Sequence, residues 1–365
     1  MSFNKLGFIG FGLIGGSIAK KARINNPNIE IIATAGHIET IEKAHSMGLI
    51  DNNTGLDMKA FADCDYIFLC APVKKNIGYL AQLKDIINPD CFITDVGSTK
   101  TEIHEEVIRL GLESNFIGGH PMTGSEKTGV TNADEYLLEN AYYIITPTAK
   151  TPDNKLEEFT EFVRSLGCIP LLLDYKAHDH ATASISHLPH MISYALTNLV
   201  RKIDDSGETM KTIAAGGFRD MTRIAASSPE MWQNICFSNK AQILELMDLY
   251  LKELSGLRES IEVSDEKALL SYFQEAKNYR DSLAVPSKKS RTTCYEMYVD
   301  LIDEAGGIAI IASVLAFKGI SIKNIGIINN REFENGVLRI EFENSDDLEL
   351  AVSLLQSKNY KVYVR

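Results

Sequence analysis

Residues 5–17 read Lys-Leu-Gly-Phe-Ile-Gly-Phe-Gly-Leu-Ile-Gly-Gly-Ser, and this stretch decides the fold of the first half of the chain. Lys5–Ile9 has the composition of a short buried strand. Gly10-Phe11-Gly12-Leu13-Ile14-Gly15 then matches the GxGxxG pattern, and Ser17 to about Asn25 reads as a helix. Between a strand and a helix, that pattern signifies a dinucleotide site. Gly10 permits the tight turn, Gly12 lets the backbone approach a pyrophosphate, and Gly15 allows close helix–strand packing. Amide groups opening the helix, from Leu13 and Ile14 onward, offer unpaired donors to the anion.

Working outward, further short apolar strands are expected at 29–34, 66–70, 92–95, 116–118, 142–146 and 169–173, with helical segments between most of them. Strands alternating with helices predict a parallel, doubly wound, Rossmann-like sheet. This first domain, 1–174, ends near Asp174. In 175–284 strand signals vanish, and helices are expected at 178–200, 208–226, 230–257 and 265–282 from apolar residues spaced three and four apart. An all-helical domain this apolar suits dimerisation. A polar, basic linker with Pro286 follows. Residues 294–365 then run strand, helix, strand, strand, helix, strand, which is a ferredoxin-like βαββαβ unit.

The chain has 49 acidic and 37 basic residues, a net charge of −12, which argues against nucleic acid or an anionic membrane as partner. No apolar run reaches the length of a membrane span, and the first residues enter a strand directly, as in a cytoplasmic protein without a leader. Six scattered cysteines, with no CxxC pair, read as buried thiols in a reducing compartment.

Three clusters carry candidate chemistry. In Gly118-Gly119-His120-Pro121-Met122-Thr123-Gly124-Ser125-Glu126, His120 cannot sit in a helix interior, and its imidazole on a loop suits proton transfer. Ser98, in Asp95-Val96-Gly97-Ser98-Thr99-Lys100, follows a neighbouring strand, either as a helix N-cap or facing a ligand. His178, His180, His187 and His190 form the second cluster. Their spacing raises zinc as one reading, but Pro189 suggests a helix start or kink and no third ligand stands out, so no metal is expected. Ser186 or His190 could instead face a substrate. In the third cluster, Arg219, Asp220 and Arg223 lie within two helical turns, where arginine could clamp a carboxylate. Trp232 reads as packing.

The ordered set Gly10–Ser17, Asp95–Lys100, Gly118–Glu126, Ser186–His190 and Gly216–Arg223 through Trp232 resembles the prephenate and arogenate dehydrogenases of tyrosine biosynthesis, over nearly the whole chain. The resemblance implies NAD-dependent oxidative decarboxylation of prephenate to 4-hydroxyphenylpyruvate and CO2, in a homodimer. It implies His120 as the catalytic histidine on the substrate's ring hydroxyl, oriented with Ser98. Arg223 would bind a substrate carboxylate, with Asp220 positioning nearby groups. Ser125, Glu126, Ser186 and His190 would line the pocket, and Trp232 would lie near the site or the dimer seam. The tail is similar to an ACT domain, with Asp303, Gly306, Gly307 and Asn324 as its regulatory positions and tyrosine as effector. One feature departs from the NAD-using pattern. The ribose-binding acid is missing from Ala33-Thr34-Ala35-Gly36-His37, so NADP stays open beside NAD. Prephenate and arogenate are not separable from these residues, and a non-catalytic amino-acid sensor is the remaining alternative.

Overall fold

The structure, a computed structural model, describes residues 3–124, 127–283, 295–300, 306–328, 337–342 and 344–364. The chain forms two compact units, Met1–Leu269 and Leu270–Arg365.

The first unit begins with strands β1 (Lys5–Ile9), β2 (Glu30–Thr34), β3 (Tyr66–Leu69), β4 (Phe92–Asp95), β5 (Phe116–Pro121), β6 (Tyr142–Pro147) and β7 (Ile169–Leu172). Helices α1 (Leu13–Asn25), α2 (Ile38–Ser46), α3 (Val73–Leu83), α4 (Thr101–Leu110) and α5 (Asp153–Ser165) connect them. The sheet order is β2-β1-β3-β4-β5-β6-β7, with the reversal of order expected of a doubly wound nucleotide fold between β1 and β3. Neighbouring residues along a strand point to opposite faces, and two cores result. Phe8 and Phe68 pack with Phe159 and Phe162 on one face, while Ile9, Ile67 and Ile93 pack with Ile103 and Val107 on the other.

The sheet is not wholly parallel. β5 and β6 pair antiparallel, and β7 runs parallel to β6. The connection between β5 and β6 holds only a short 3-10 turn, Val130–Asn132, among its described residues. With no crossover helix to carry the chain back to the sheet's other end, β6 returns alongside β5 in the opposite sense. Pairing with β6 also lengthens β5, so His120 belongs to the strand, opposite Ile144, and not to the loop expected for it.

The helical segments follow as α6 (Tyr175–Thr182), α7 (Leu188–Ile203), α8 (Thr209–Ile213), α9 (Gly216–Thr222), α10 (Pro229–Ser238), α11 (Lys240–Glu262) and α12 (Glu266–Ser282). Three of the four long helices expected there are interrupted. Between α6 and α7 lies a π-turn, Ala183–His187, in which the Leu188 amide donates to the Ala183 carbonyl. Pro189 has no N–H to continue the regular ladder, and the wider turn absorbs the loss. The 208–226 segment breaks before Gly216, where Ala215 is extended at φ −108°, and finishes as a 3-10 turn, Arg223–Ala226. Asn239 separates α10 from α11 at φ −124° and ψ 34°; its backbone N–H still donates to the Ile235 carbonyl, and its side-chain amide donates to the Asp179 carbonyl at 2.8 Å.

The second unit holds β8 (Tyr295–Asp300), α13 (Gly307–Ala316), β9 (Asn324–Ile328), β10 (Val337–Phe342), α14 (Ser345–Ser357) and β11 (Val362–Val364). Its sheet is antiparallel in the order β11-β8-β10-β9, the ferredoxin-like arrangement. Met297, Val299, Leu338 and Ile340 face Ile311, Leu315 and Leu355 in its core. Gly306, at φ +95°, precedes α13, and Gly307 opens it buried. Asn324 begins edge strand β9, while Asp303 lies outside the described residues.

Gly10 explains the turn after β1. Its φ is +86°, and an added Cβ would stand 2.5 Å from the Ala71 backbone nitrogen. Gly10→Ala combines a disfavoured backbone with a clash against main chain, and should destabilise the first unit by about 2–4 kcal/mol. Urea unfolding followed through that unit checks this. An unchanged midpoint would mean that the turn can relax away from Ala71.

Candidate active site

The carboxyl ends of β1, β4 and β5 carry the glycine loop, Ser98 and His120. At β1 the helix α1 starts at Gly12, with no side-chain cap and nothing within 4 Å of a Cβ placed there. Leu13 and Ile14, half-exposed, form the first turn, and Gly15 sits against the Cys70 sulfur. An open backbone surface at an uncapped helix N-terminus fits a pyrophosphate. Beyond β2 the chain reads Ala35-Gly36-His37, and Glu39 is the first acid after the strand.

A cavity of about 450 Å³ is walled by Ser98, His120, Ser186, His187, His190, Arg223 and Trp232, with Met122, Thr123 and Met231 among its other residues. Six of the residues expected at the site thus share one wall, from segments more than a hundred positions apart. Asp220 is exposed on α9 and is not part of this wall, because the chain turns into a 3-10 segment before Arg223. Ser125 and Glu126 lie outside the described residues.

His190 stacks on Trp232 with ring centroids 3.7 Å apart, and Trp232 is buried against Ala183, Ile235 and Ile243. Trp232 therefore packs and also forms site wall. The π-turn places Ser186, His187 and His190 around the same cavity, which regular α-helical spacing would have spread differently.

His120 is anchored from behind. Its Nδ1 lies 2.8 Å from His178 Nε2, and His178 Nδ1 lies 2.8 Å from Asp179 Oδ1. Asp179 also accepts the backbone N–H groups of Lys100 and Thr101, each at 2.7 Å. Those amides open α4, so a carboxylate from α6 caps it, the electrostatically favoured end for a negative charge. Ser98, one of whose expected roles was that cap, faces the cavity instead. Below the same strands, the buried Lys100 ammonium pairs with buried Asp95. Asp95 also accepts the Gly119 N–H at 3.3 Å, fixing the backbone just before His120.

Burial sets the protonation of this group. Desolvation, reinforced by the neighbouring His178 and Lys100, holds the His120 imidazole well below its ordinary 6.5. His178 is lowered by burial too, against the pull of Asp179. Hydrogen bonds from His178 and Thr101 keep the Asp179 carboxyl below its usual range despite burial. Burial also lowers the Lys100 ammonium, with Asp95 opposing. His190 is lowered by desolvation, and Arg223 adds to this. The site therefore holds a neutral imidazole at the cavity surface in front of a buried carboxylate, an arrangement for taking a proton from a bound hydroxyl.

His178, Asp179, Lys100 and Asp95 had no assigned role in the sequence reading. A His-Asp pair just after an Asx-type helix start at Asp174 was visible, but nothing local said that it meets His120 58 positions away. The four histidines do not gather on one ion. His180 bonds Gln242, His187 faces Asn239, and among the described residues no group of three His, Cys, Asp or Glu side chains could hold a metal.

The chain is similar to known proteins over most of its length. Two family models match: "Prephenate dehydrogenase, nucleotide-binding domain" over residues 18–169 and "Prephenate dehydrogenase, dimerization domain" over 174–275. A prephenate dehydrogenase of Bacillus subtilis is 37% identical over 351 residues, covering 96% of this chain and 95% of its own length. A crystal structure of prephenate dehydrogenase from A. aeolicus, in complex with hydroxyphenyl propionate and NAD+, superposes with a TM-score of 0.73 at 30% identity. It covers 78% of this chain and 99% of that one. Synechocystis arogenate dehydrogenase is 32% identical with a TM-score of 0.68, over 76% of this chain and 99% of that one.

Proposed function

The chain belongs to the prephenate dehydrogenase family, and from that premise we propose how its own residues carry the reaction. The activity is NAD-dependent oxidative decarboxylation of prephenate to 4-hydroxyphenylpyruvate and CO2. The Gly10–Gly15 turn and the N-terminus of α1 would hold NAD, which would supply the acceptor for the hydride of the substrate's C4 position.

The observation that supports our assignment best is the setting of His120, whose Nδ1 is engaged by His178 while its ring lines the cavity. His120 Nε2 accepts the proton of the C4 hydroxyl as C4 becomes a carbonyl carbon. Loss of the ring carboxylate as CO2 then makes the ring aromatic, and the proton returns to the phenol oxygen. Ser98 orients the hydroxyl. Arg223 holds a carboxylate of the dianionic substrate, which an acidic protein needs a local cation to bind. Ser186, His190 and Trp232 shape the pocket, and the family resemblance assigns Ser125 and Glu126 to substrate binding as well. Asp220 acts from outside the wall, on α9 just before the turn that carries Arg223.

A steady-state assay of prephenate and arogenate, each with NAD and with NADP, tests this reading. Turnover of prephenate with NAD and release of CO2 is expected. Arogenate turnover alone would move the substrate assignment to the amino analogue, and preference for NADP would place a phosphate at the acid-free end of β2.

We also infer a homodimer through the helical segment, where α7 and α11 leave Leu199, Ile203, Leu244, Leu251, Leu254 and Ile261 exposed. The free thiols among the described residues suit a reducing cytoplasm. Among the described residues no helix is long and apolar enough to cross a membrane. The ferredoxin-like unit reads as an ACT domain binding tyrosine as feedback effector. Tyrosine inhibition should then disappear in a chain ending at Leu283 that still turns over prephenate. Inhibition that persists there would place tyrosine in the active site as a product analogue.

A further inference from the structure

We propose that His178, anchored by Asp179, is a positioning residue that fixes which ring nitrogen of His120 acts as the base. The inference rests on the assignment of His120 as that base.

The protons can be counted outward from the carboxylate. Asp179 is ionised, holding two backbone amides at the start of α4, so it can only accept. The hydrogen bond to His178 Nδ1 at 2.8 Å therefore needs the proton on that nitrogen. His178 is fully buried and neutral, so it has one ring proton to place, and its Nε2 is left as a bare acceptor. His120 Nδ1, 2.8 Å away, must then donate. A neutral His120 that donates from Nδ1 has an unprotonated Nε2, and this is the nitrogen left for the cavity. Had His178 carried its proton on Nε2, His120 would present an N–H to the substrate hydroxyl and could not accept its proton.

The backbone holds this order in place. Asp174 caps α6 by accepting the Lys176 and Ala177 amides, and Thr182 donates to the His178 carbonyl. The groups facing the pair are few. His120 meets His178 from α6, Lys100 from the start of α4 and His187 from the π-turn, and His178 meets Asp179, Lys100, Asp95, His104 from α4 and His187. Lys100 is paired with Asp95, so the Asp179 carboxylate is the negative charge directly in line with the two rings. When Nε2 takes the substrate proton, the resulting imidazolium donates more strongly to His178, which leans on that carboxylate. His178 itself is out of reach of substrate, so its effect passes through His120.

The experiment uses the full chain with NAD and prephenate. His178→Leu removes the acceptor, and His178→Gln keeps an oxygen near the place of Nε2. The expectation for His178→Leu is a kcat about 10²-fold lower with KM changed less than about threefold, since the loss falls on proton transfer. Its acid limb should also move to lower pH, because an imidazolium without its acceptor is less stable. His178→Gln should recover most of kcat and keep the limb near its original place. Two results would overturn the proposal: a wild-type profile in His178→Leu, or equal loss in both variants with the limb unmoved, which describes a merely structural residue. His120→Asn run in parallel separates the two ideas. If it is inactive while His178→Leu is unaffected, only the positioning role falls; if it keeps wild-type kcat, the base assignment itself falls. Should the variants not fold, 15N spectra of histidine-labelled wild-type protein decide the matter. His120 protonated at Nδ1 supports the proposal, and protonation at Nε2 contradicts it.

Discussion

His120→Asn should lower kcat by about 10²–10⁴, the range for removing a general base, with little change in KM for prephenate. Asparagine keeps a polar group near Nδ1 and can still meet His178, so the end of β5 should hold its place. It has no group that takes a proton near neutral pH. The substrate still finds Arg223 and the pocket wall, which is why the loss falls on kcat. Steady-state kinetics with saturating NAD read both parameters. A variant with kcat near wild type would remove His120 from the chemistry, and a rise in KM alone would make it a binding residue.

Arg223→Ala should act on the other parameter. A hydrogen bond to a charged group contributes about 1.5–3 kcal/mol, which corresponds to a KM rise of about 10–100-fold if the clamp is made equally in ground and transition states. Arg223 lies on a 3-10 turn at the cavity wall, and among the described residues the rest of that wall is imidazoles, hydroxyls and apolar groups. Lysine at the position should restore only part of the affinity, because an ammonium cannot pair with both carboxylate oxygens in the planar fork of guanidinium. An unchanged KM in Arg223→Ala would mean that the substrate carboxylate is held elsewhere.

These two residues show what could be read from the chain and what could not. The glycine turn after β1 was legible because its chemistry is local: a positive φ at Gly10 and an uncapped helix start are consequences of adjacent residues. The strands were legible for the same reason, as short apolar runs between turns. The reversal at β6 was not, because direction depends on what the connecting segment lacks. The helix breaks at the π-turn and at Asn239 also escaped periodicity. At the first, Pro189 lacks the N–H that the regular ladder needs, and at the second the Asn239 side-chain amide ties the joint to the distant Asp179 carbonyl.

In the site, His120 and Ser98 stood out as polar residues at strand ends, where a doubly wound sheet presents its ligand crevice. Their supporting groups did not stand out. A buried lysine looks like any surface lysine in sequence, and Lys100 reveals itself only through its pairing with Asp95. His178 stands out in sequence only as one of four histidines whose spacing raises the question of a metal, and Asp179 reads as part of an ordinary helix start. Their meaning comes from α6 packing on α4, which lets one carboxylate cap a helix and orient a histidine at once. Asp220 shows how little proximity along the chain says about place in the site. Proximity in sequence to Arg223 suggested a shared role, and the change from α-helix to 3-10 turn between them puts Asp220 off the cavity wall.

The account centres on a His120 that is neutral because it is buried, and the pH dependence of kcat/KM for prephenate measures that state directly. A base works only when unprotonated, so activity is present above its pKa and is lost as pH falls through it. Burial beside His178 lowers that pKa. The predicted profile is therefore flat from neutral pH down past about 6.5, the ordinary imidazole value, with the acid limb appearing only below it. This limb should vanish in the residual activity of His120→Asn. An acid limb centred at or above about 6.5, or one that survives unchanged in that variant, would contradict the account.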